Sequence, residues 1–132
     1  MAHSFPLRVY YEDTDLAGIV YYANYLKFIE RARTEMVTEA GIDQAALKAD
    51  SGVVFAVARI EADYLRPGKF QDDLCVLTEV AQVTAARIVL DQKVCRGGEV
   101  LFASVVTLVA LSGDGRPVRL PANIRRLGTV VR

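Results

Sequence analysis

The chain has 132 residues, 52% of them apolar, with 16 Lys and Arg against 16 Asp and Glu, so its formal net charge is zero. That length suits one compact domain, expected to span residues 1–132, with enough apolar surface to bury a core without disulfide or metal staples. Zero net charge argues against a broad electrostatic grip on nucleic acid or anionic lipid, and it does little to oppose self-association.

Cys75 and Cys95 sit in separate apolar segments without metal-ligand spacing, and they read as two buried thiols of a reducing cytosol. The only histidine is His3, close to a terminus, so His-based triads, dyads and zinc clusters are not expected. Acid–base chemistry near neutral pH then falls to a carboxylate, a Tyr, a Lys or a backbone-activated water. The opening Met-Ala-His-Ser-Phe-Pro leads into a polar-interrupted strand, so no signal peptide is expected. The apolar run Val105 to Leu111 is strand-sized, and no stretch reaches membrane-spanning length.

In chain order, Phe5 to Tyr11 reads as a first strand, followed by a polar, turn-rich Glu12 to Gly18. From about Tyr22 to Ala40 the period becomes helical: Tyr22, Tyr25, Leu26, Ile29, Ala32, Met36, Val37 and Ala40 fall on one stripe. Arg31 and Glu35 form an i,i+4 pair on the other face. Asn24 is a cap near the start and Gly41 a C′ glycine at the end. Asp43 to Ala49 reads as a short second helix capped by Asp43. Strands are then predicted over Val53 to Leu65, Leu74 to Ala85, Arg87 to Cys95 and Val100 to Leu111. The breaks fall at the Arg66-Pro67-Gly68-Lys69 turn, the Arg96-Gly97-Gly98-Glu99 hairpin and the loop Ser112 to Pro117. Pro121 begins a terminal segment of one or two helical turns. One amphipathic helix has one apolar face to bury, and a mostly antiparallel sheet covers it, which makes an α+β domain.

The segment that stands out joins the first strand to the main helix. Glu12, Asp13 and Asp15 lie within four residues, among Tyr10, Tyr11, Tyr21, Tyr22 and Tyr25. Three readings fit. It is a turn whose acids bond local backbone, a loop lining a pocket, or a divalent-cation site, although EF-hand spacing is missing.

The string Val9-Tyr10-Tyr11-Glu12-Asp13-Thr14-Asp15, then Gly18-Ile19-Val20-Tyr21, Tyr25 and Glu30-Arg31-Ala32-Arg33-Thr34-Glu35-Met36, resembles the signature of the 4-hydroxybenzoyl-CoA thioesterase-like family of the hotdog superfamily. It is most similar there to the YbgC-type acyl-CoA thioesterases encoded beside the Tol–Pal system. The later Asp63-Tyr64 and Asp72-Asp73-Leu74 also fit. The resemblance implies a sheet wrapped round a central helix, with dimers pairing sheets side by side, and hydrolysis of acyl-CoA thioesters. It puts the catalytic carboxylate at Asp15. Tyr22 stands where YbgC-type members commonly have His; the branch that hydrolyses 4-hydroxybenzoyl-CoA has Tyr there. The resemblance gives this residue's N–H the task of polarising the thioester carbonyl.

Such a division of labour is chemically sound. A thioester has a good leaving group, so attack and oxyanion stabilisation matter most. N–H groups at a helix start suit a developing oxyanion, and one carboxylate can attack or deprotonate water. Tyr11 is a further candidate pocket hydroxyl. Arg87, Arg66 and Lys69 are candidate partners of the CoA phosphates, with Arg116 and Arg119 behind them. No metal or organic cofactor is expected. The expected setting is cytoplasmic, as a homodimer or dimer of dimers, a homotetramer. Rival readings are a non-catalytic module binding acyl-CoA or acyl carrier protein, and a scaffold among lipid-synthesis enzymes.

Overall fold

A computed structural model describes residues 2–127. The elements run β1 (His3–Arg8), a 3₁₀ turn (Tyr11–Asp13), α1 (Asn24–Glu39), α2 (Gln44–Ser51), β2 (Val54–Tyr64), β3 (Asp73–Val83), β4 (Arg87–Arg96), β5 (Glu99–Leu111), β6 (Pro117–Val118) and α3 (Ala122–Arg125). The sheet is antiparallel in the order β1-β3-β4-β5-β2, with β6 added beside β5. This is the α+β hotdog arrangement that the resemblance implied, a sheet curled about one long helix.

The packing follows from two periods. Along β3 and β4 alternate residues are buried, with Leu74, Val76, Thr78 and Val80 on one and Ile88, Leu90, Gln92 and Val94 on the other. The apolar ones join Tyr25, Phe28, Ile29, Ala32, Met36 and Val37 of α1 in one core. Each Val, Leu, Ile, Phe or Met side chain among them contributes about 1.5–3 kcal/mol on full burial. The stripe differs from the predicted one at its edges: Phe28 is buried, whereas Tyr22 and Leu26 are exposed. The polar Thr78, Gln92 and Ser104 are also buried in the sheet. Gln92 donates to the Ile29 carbonyl (3.0 Å) and to Thr78 Oγ1 (2.9 Å) and accepts from Arg33 Nη1 (3.0 Å). Ser104 Oγ donates to the Gln92 carbonyl at 2.8 Å. Those bonds fix the height and rotation of α1 on the sheet.

Some boundaries move for local reasons. β1 stops at Arg8 because Tyr11–Asp13 coil into the 3₁₀ turn. α1 starts at Asn24, not Tyr22, and its N-cap is Ala23 without a side-chain bond. Asn24 is no cap; its side chain reaches back to the Asp13 carbonyl at 2.9 Å. The end is as expected: Gly41 takes φ +85°, and the Gly41 and Ile42 N–H groups close onto the Thr38 and Val37 carbonyls in a Schellman motif. Asp43 caps α2 through Ala46 N–H at 3.0 Å. Arg31 and Glu35 make no ion pair among the described residues; Glu30 accepts from Thr34 Oγ1 instead. β6 was not predicted, being two residues inside a loop.

Among the described residues β2 pairs only with β5. A bulge interrupts that ladder between Val57 and Arg59, and from Val57 onward the strand is largely exposed.

Candidate active site

The acidic run is shaped by its own backbone bonds. Val9 is buried and holds the chain to the β2–β3 connection through Asp72 and Gln71. After it, Asp13 acts as a post. Its carboxylate accepts Tyr10 N–H at 2.8 Å, and its carbonyl accepts both Tyr21 N–H (2.9 Å) and Asn24 Nδ2 (2.9 Å). Between those ties the chain makes a narrow loop, closed by a Thr14–Val20 bridge and turned at Gly18, φ +79°. Asp15 stands on this loop, exposed. One carboxylate oxygen accepts Ala17 N–H at 3.0 Å, and among the described residues the other has no hydrogen-bond partner. The turn reading therefore describes Asp13 fully and Asp15 only by half.

A second loop is stitched against the first. Val20 N–H donates to the Gly68 carbonyl (2.8 Å), Ile19 bridges Lys69, and Gly68 N–H donates to the buried Tyr25 Oη (3.0 Å). Arg96 steadies this turn from beneath, bonding the Pro67 carbonyl (3.3 Å), Asp72 (2.7 Å) and Glu99 (2.6 Å). Asp72 also accepts Lys69 N–H at 2.8 Å. Burial pushes the Asp72 carboxyl up, but the Lys69 N–H and the Arg96 guanidinium outweigh it and hold it below the ordinary carboxylate value.

The two loops and the start of α1 border an open cavity of about 300 Å³, whose wall includes Asp15, Tyr21, Tyr22, Tyr25, Tyr64 and Arg66. A ladder of rings builds its floor. Tyr25 stacks on Phe102 at 5.0 Å, and Tyr64 meets Phe102, Tyr25 and Tyr22 edge-on at 5.0, 5.7 and 6.1 Å. Burial raises the Tyr25 and Tyr64 phenols above their ordinary value, so both stay protonated at neutral pH.

Of the residues singled out in the sequence, the fold brings Asp15, Tyr22 and Arg66 to one cavity. Tyr22 lies in the turn just before α1. Its N–H takes part in none of the hydrogen bonds among the described residues, while its carbonyl accepts the Tyr64 hydroxyl at 3.0 Å. Arg66 is half-engaged, 3.3 Å from Glu99. Lys69 flanks the site but is not in the cavity wall. Tyr11 is 82% exposed, packs edge-on against Phe70 at 6.2 Å and is not in the cavity wall. Arg87 lies opposite Val109, which lies opposite Ala56. It is therefore at the far end of β2 from Tyr64, seven residues along β5 or roughly 24 Å along the sheet at the usual strand rise. Among the described residues no group of three or more His, Cys, Asp or Glu side chains could hold a metal ion; Asp13 is turned to backbone. No helix among the described residues is long and apolar enough to cross a membrane.

Tyr64 and Arg96 were not recognised as parts of the site. Tyr64 is marked in the sequence by the Asp63-Tyr64 match to the family signature and by its place before the Pro-Gly turn, neither of which gives it a role, and Arg96 reads as a hairpin residue. A second cavity, about 260 Å³, lies toward the other end of α1 among Met36, Val37, Phe55 and Leu108, away from the acidic run.

The model of the thioesterase superfamily matches residues 17–103. The chain is similar to the acyl-CoA thioesterase YbgC of Haemophilus influenzae, 39% identical over 92% of this chain and 90% of that one. It is also similar to the acyl-CoA thioester hydrolase YbgC of Escherichia coli, 38% identical over 79% of this chain and 77% of that one. Among solved structures, a probable thioesterase from Bartonella henselae superposes with a TM-score of 0.88 at 31% identity, over 92% of this chain and all of that one. With the fold, the extent of these matches and the cavity at the start of the central helix in agreement, the chain belongs to the thioesterase superfamily.

Proposed function

We propose that this protein hydrolyses acyl-CoA thioesters to free acid and CoA, with Asp15 as base or nucleophile and the Tyr22 N–H as oxyanion donor. The observation that carries the reading is the pairing, in one cavity wall, of a carboxylate with a free oxygen and an unpartnered N–H before the main helix. A thioester carbonyl placed between them is polarised from one side by the N–H and the positive end of α1. Asp15 attacks it, or activates a water, from the other. The name shared by the relatives, acyl-CoA thioesterase or thioester hydrolase, supports the same reaction. Acyl-CoA and reduced thiols both belong to the cytoplasm, which is the setting proposed here.

The open edge of β2 fits a symmetric partner. Antiparallel pairing of two β2 strands sets the Val54 end of one against the Tyr64 end of the other. Arg87 of the partner subunit then comes toward the site that Arg87 of the same chain cannot reach, and with Arg66 it forms a cationic rim for the CoA phosphates. A dimer, or a dimer of dimers, with sites at the subunit boundary is the proposed assembly.

The test is a panel of short, long and aromatic acyl-CoAs with the purified full chain, following release of free thiol. Steady turnover of any member supports hydrolysis. Binding without turnover across the whole panel sinks it and favours an acyl-CoA or acyl-carrier-protein binding module, the reading to which Tyr22, standing where the resemblance implies His, gives weight.

A further inference from the structure

Tyr64 is the last residue of β2, and its ring is held on three sides, edge-on to Phe102, Tyr25 and Tyr22. The chain beyond it is held as well, because the Leu65 and Arg66 N–H groups both donate to the Leu101 carbonyl, at 2.8 and 3.1 Å. The ring is half-exposed between these neighbours, and its hydroxyl donates to the Tyr22 carbonyl at 3.0 Å. On the other side of Tyr22, the Tyr21 carbonyl accepts Asn24 N–H at 2.8 Å, and Tyr21 N–H donates to Asp13 at 2.9 Å. Peptide units are planar, and none here is cis. Asn24 on the Tyr21 carbonyl and Tyr64 on the Tyr22 carbonyl therefore fix both planes that meet at the Tyr22 α-carbon. Among the described residues the Tyr22 N–H, opposite the Tyr21 carbonyl in its trans peptide, is left without a partner, and Tyr22 lines the cavity.

We infer that Tyr64 is a positioning residue for the reaction, its hydroxyl holding the Tyr22 main chain so that the Tyr22 N–H faces one fixed point in the cavity. The inference rests on the reading of that N–H as the oxyanion donor. A donor aimed in advance gives most where charge develops, in the transition state, and little to the bound ground state. Loss of the Tyr64 hydroxyl should therefore appear in kcat and not in KM. Burial and the neighbouring Tyr22 phenol raise the Tyr64 pKa, so its proton remains available for donation at neutral pH.

The experiment uses the full chain with acetyl-CoA, decanoyl-CoA and benzoyl-CoA. For whichever of these is turned over, Tyr64→Phe should lower kcat about tenfold, the worth of one hydrogen bond felt in the transition state, and leave KM within about twofold. Added to Tyr22→Pro, which deletes the N–H but keeps the carbonyl, Tyr64→Phe should change kcat by less than about twofold, because it acts through the group already lost. Circular dichroism and thermal unfolding check both folds. If the proline variant does not fold, an α-hydroxy acid at position 22 replaces the N–H by oxygen for the same comparison. Parental kcat in Tyr64→Phe beside an impaired residue-22 variant overturns the role of Tyr64 and leaves that of Tyr22 standing. A raised KM at unchanged kcat, or losses that add in the double variant, also overturns it. Parental turnover in the folded residue-22 variant removes the Tyr22 donor, and this inference with it.

Discussion

The Gly68 N–H donates to the buried Tyr25 hydroxyl at 3.0 Å, and through that bond the turn after β2 is fastened to the first turn of α1. The space around Gly68 is already filled. A Cβ there would meet Tyr25 Oη and Val20 Cγ2 at 3.1 Å each. Gly68→Ala is therefore expected to cost about 1–3 kcal/mol, as overpacking does, and to reduce turnover by shifting the loop that carries Arg66. Urea unfolding with a thiol-release assay measures both. An alanine variant as stable and active as the parent would show that the two loops are not rigidly coupled.

Asp15→Asn keeps the size of the side chain and its bond to Ala17 N–H, but removes the charge and the base. Turnover should fall at least ~100-fold with the fold intact, as for the loss of a general base. Asp13→Asn keeps an acceptor for Tyr10 N–H and leaves the Asp13 carbonyl in place, so it should cost far less. Equal losses in the two variants would mean that Asp15, like Asp13, only shapes the loop.

Acid should loosen the site before it unfolds the core. The Asp72 carboxyl is depressed below its ordinary value of 3.8 by Lys69 N–H and Arg96, which outweigh burial. For a depressed carboxyl the stabilisation is complete above the unfolded-state value and is lost as pH falls through the lower folded-state value. Stability should therefore decline below about pH 4, and Asp72→Asn should flatten that part of the curve. At pH 7 the same variant should cost about 1.5–3 kcal/mol, the range for a hydrogen bond to a charged group. Urea titrations at several pH values would decide it, and an unaltered acid limb in the Asn variant would clear Asp72.

The assembly is tested by solution mass. Light scattering at micromolar concentration should give a dimer or a dimer of dimers. A proline at Ile60, in the middle of the open β2 edge, should shift the mass toward the monomer and lower turnover together. A stable, fully active monomer would refute pairing through β2.

Much of this protein was legible in its residues. The helix from Asn24 to Glu39 carries a 3.6-residue apolar period and a terminal glycine, and the strands carry period-2 patterns between Gly and Pro breaks. Such signals are local, so the order and type of elements could be read from them. The acid-and-tyrosine segment at 10–25 was equally visible, as was its resemblance to a thioesterase signature.

Tertiary structure decided which of those residues meet. Asp13 and Asp15 look alike in sequence; they differ because Asp13 is consumed by Tyr10, Tyr21 and Asn24, while Asp15 keeps an oxygen free. Tyr11 and Tyr64 both read in the sequence as tyrosines near strand ends, but one lies on Phe70 outside the cavity and the other holds the Tyr22 carbonyl. Arg66 and Arg87 were indistinguishable as cations until the register of β2, β5 and β4 put them at opposite ends of the sheet. The physical reason is common to all three pairs. Periodicity records which face a residue presents, whereas a site depends on contacts between segments far apart in the chain, and those are set by strand register and loop closure.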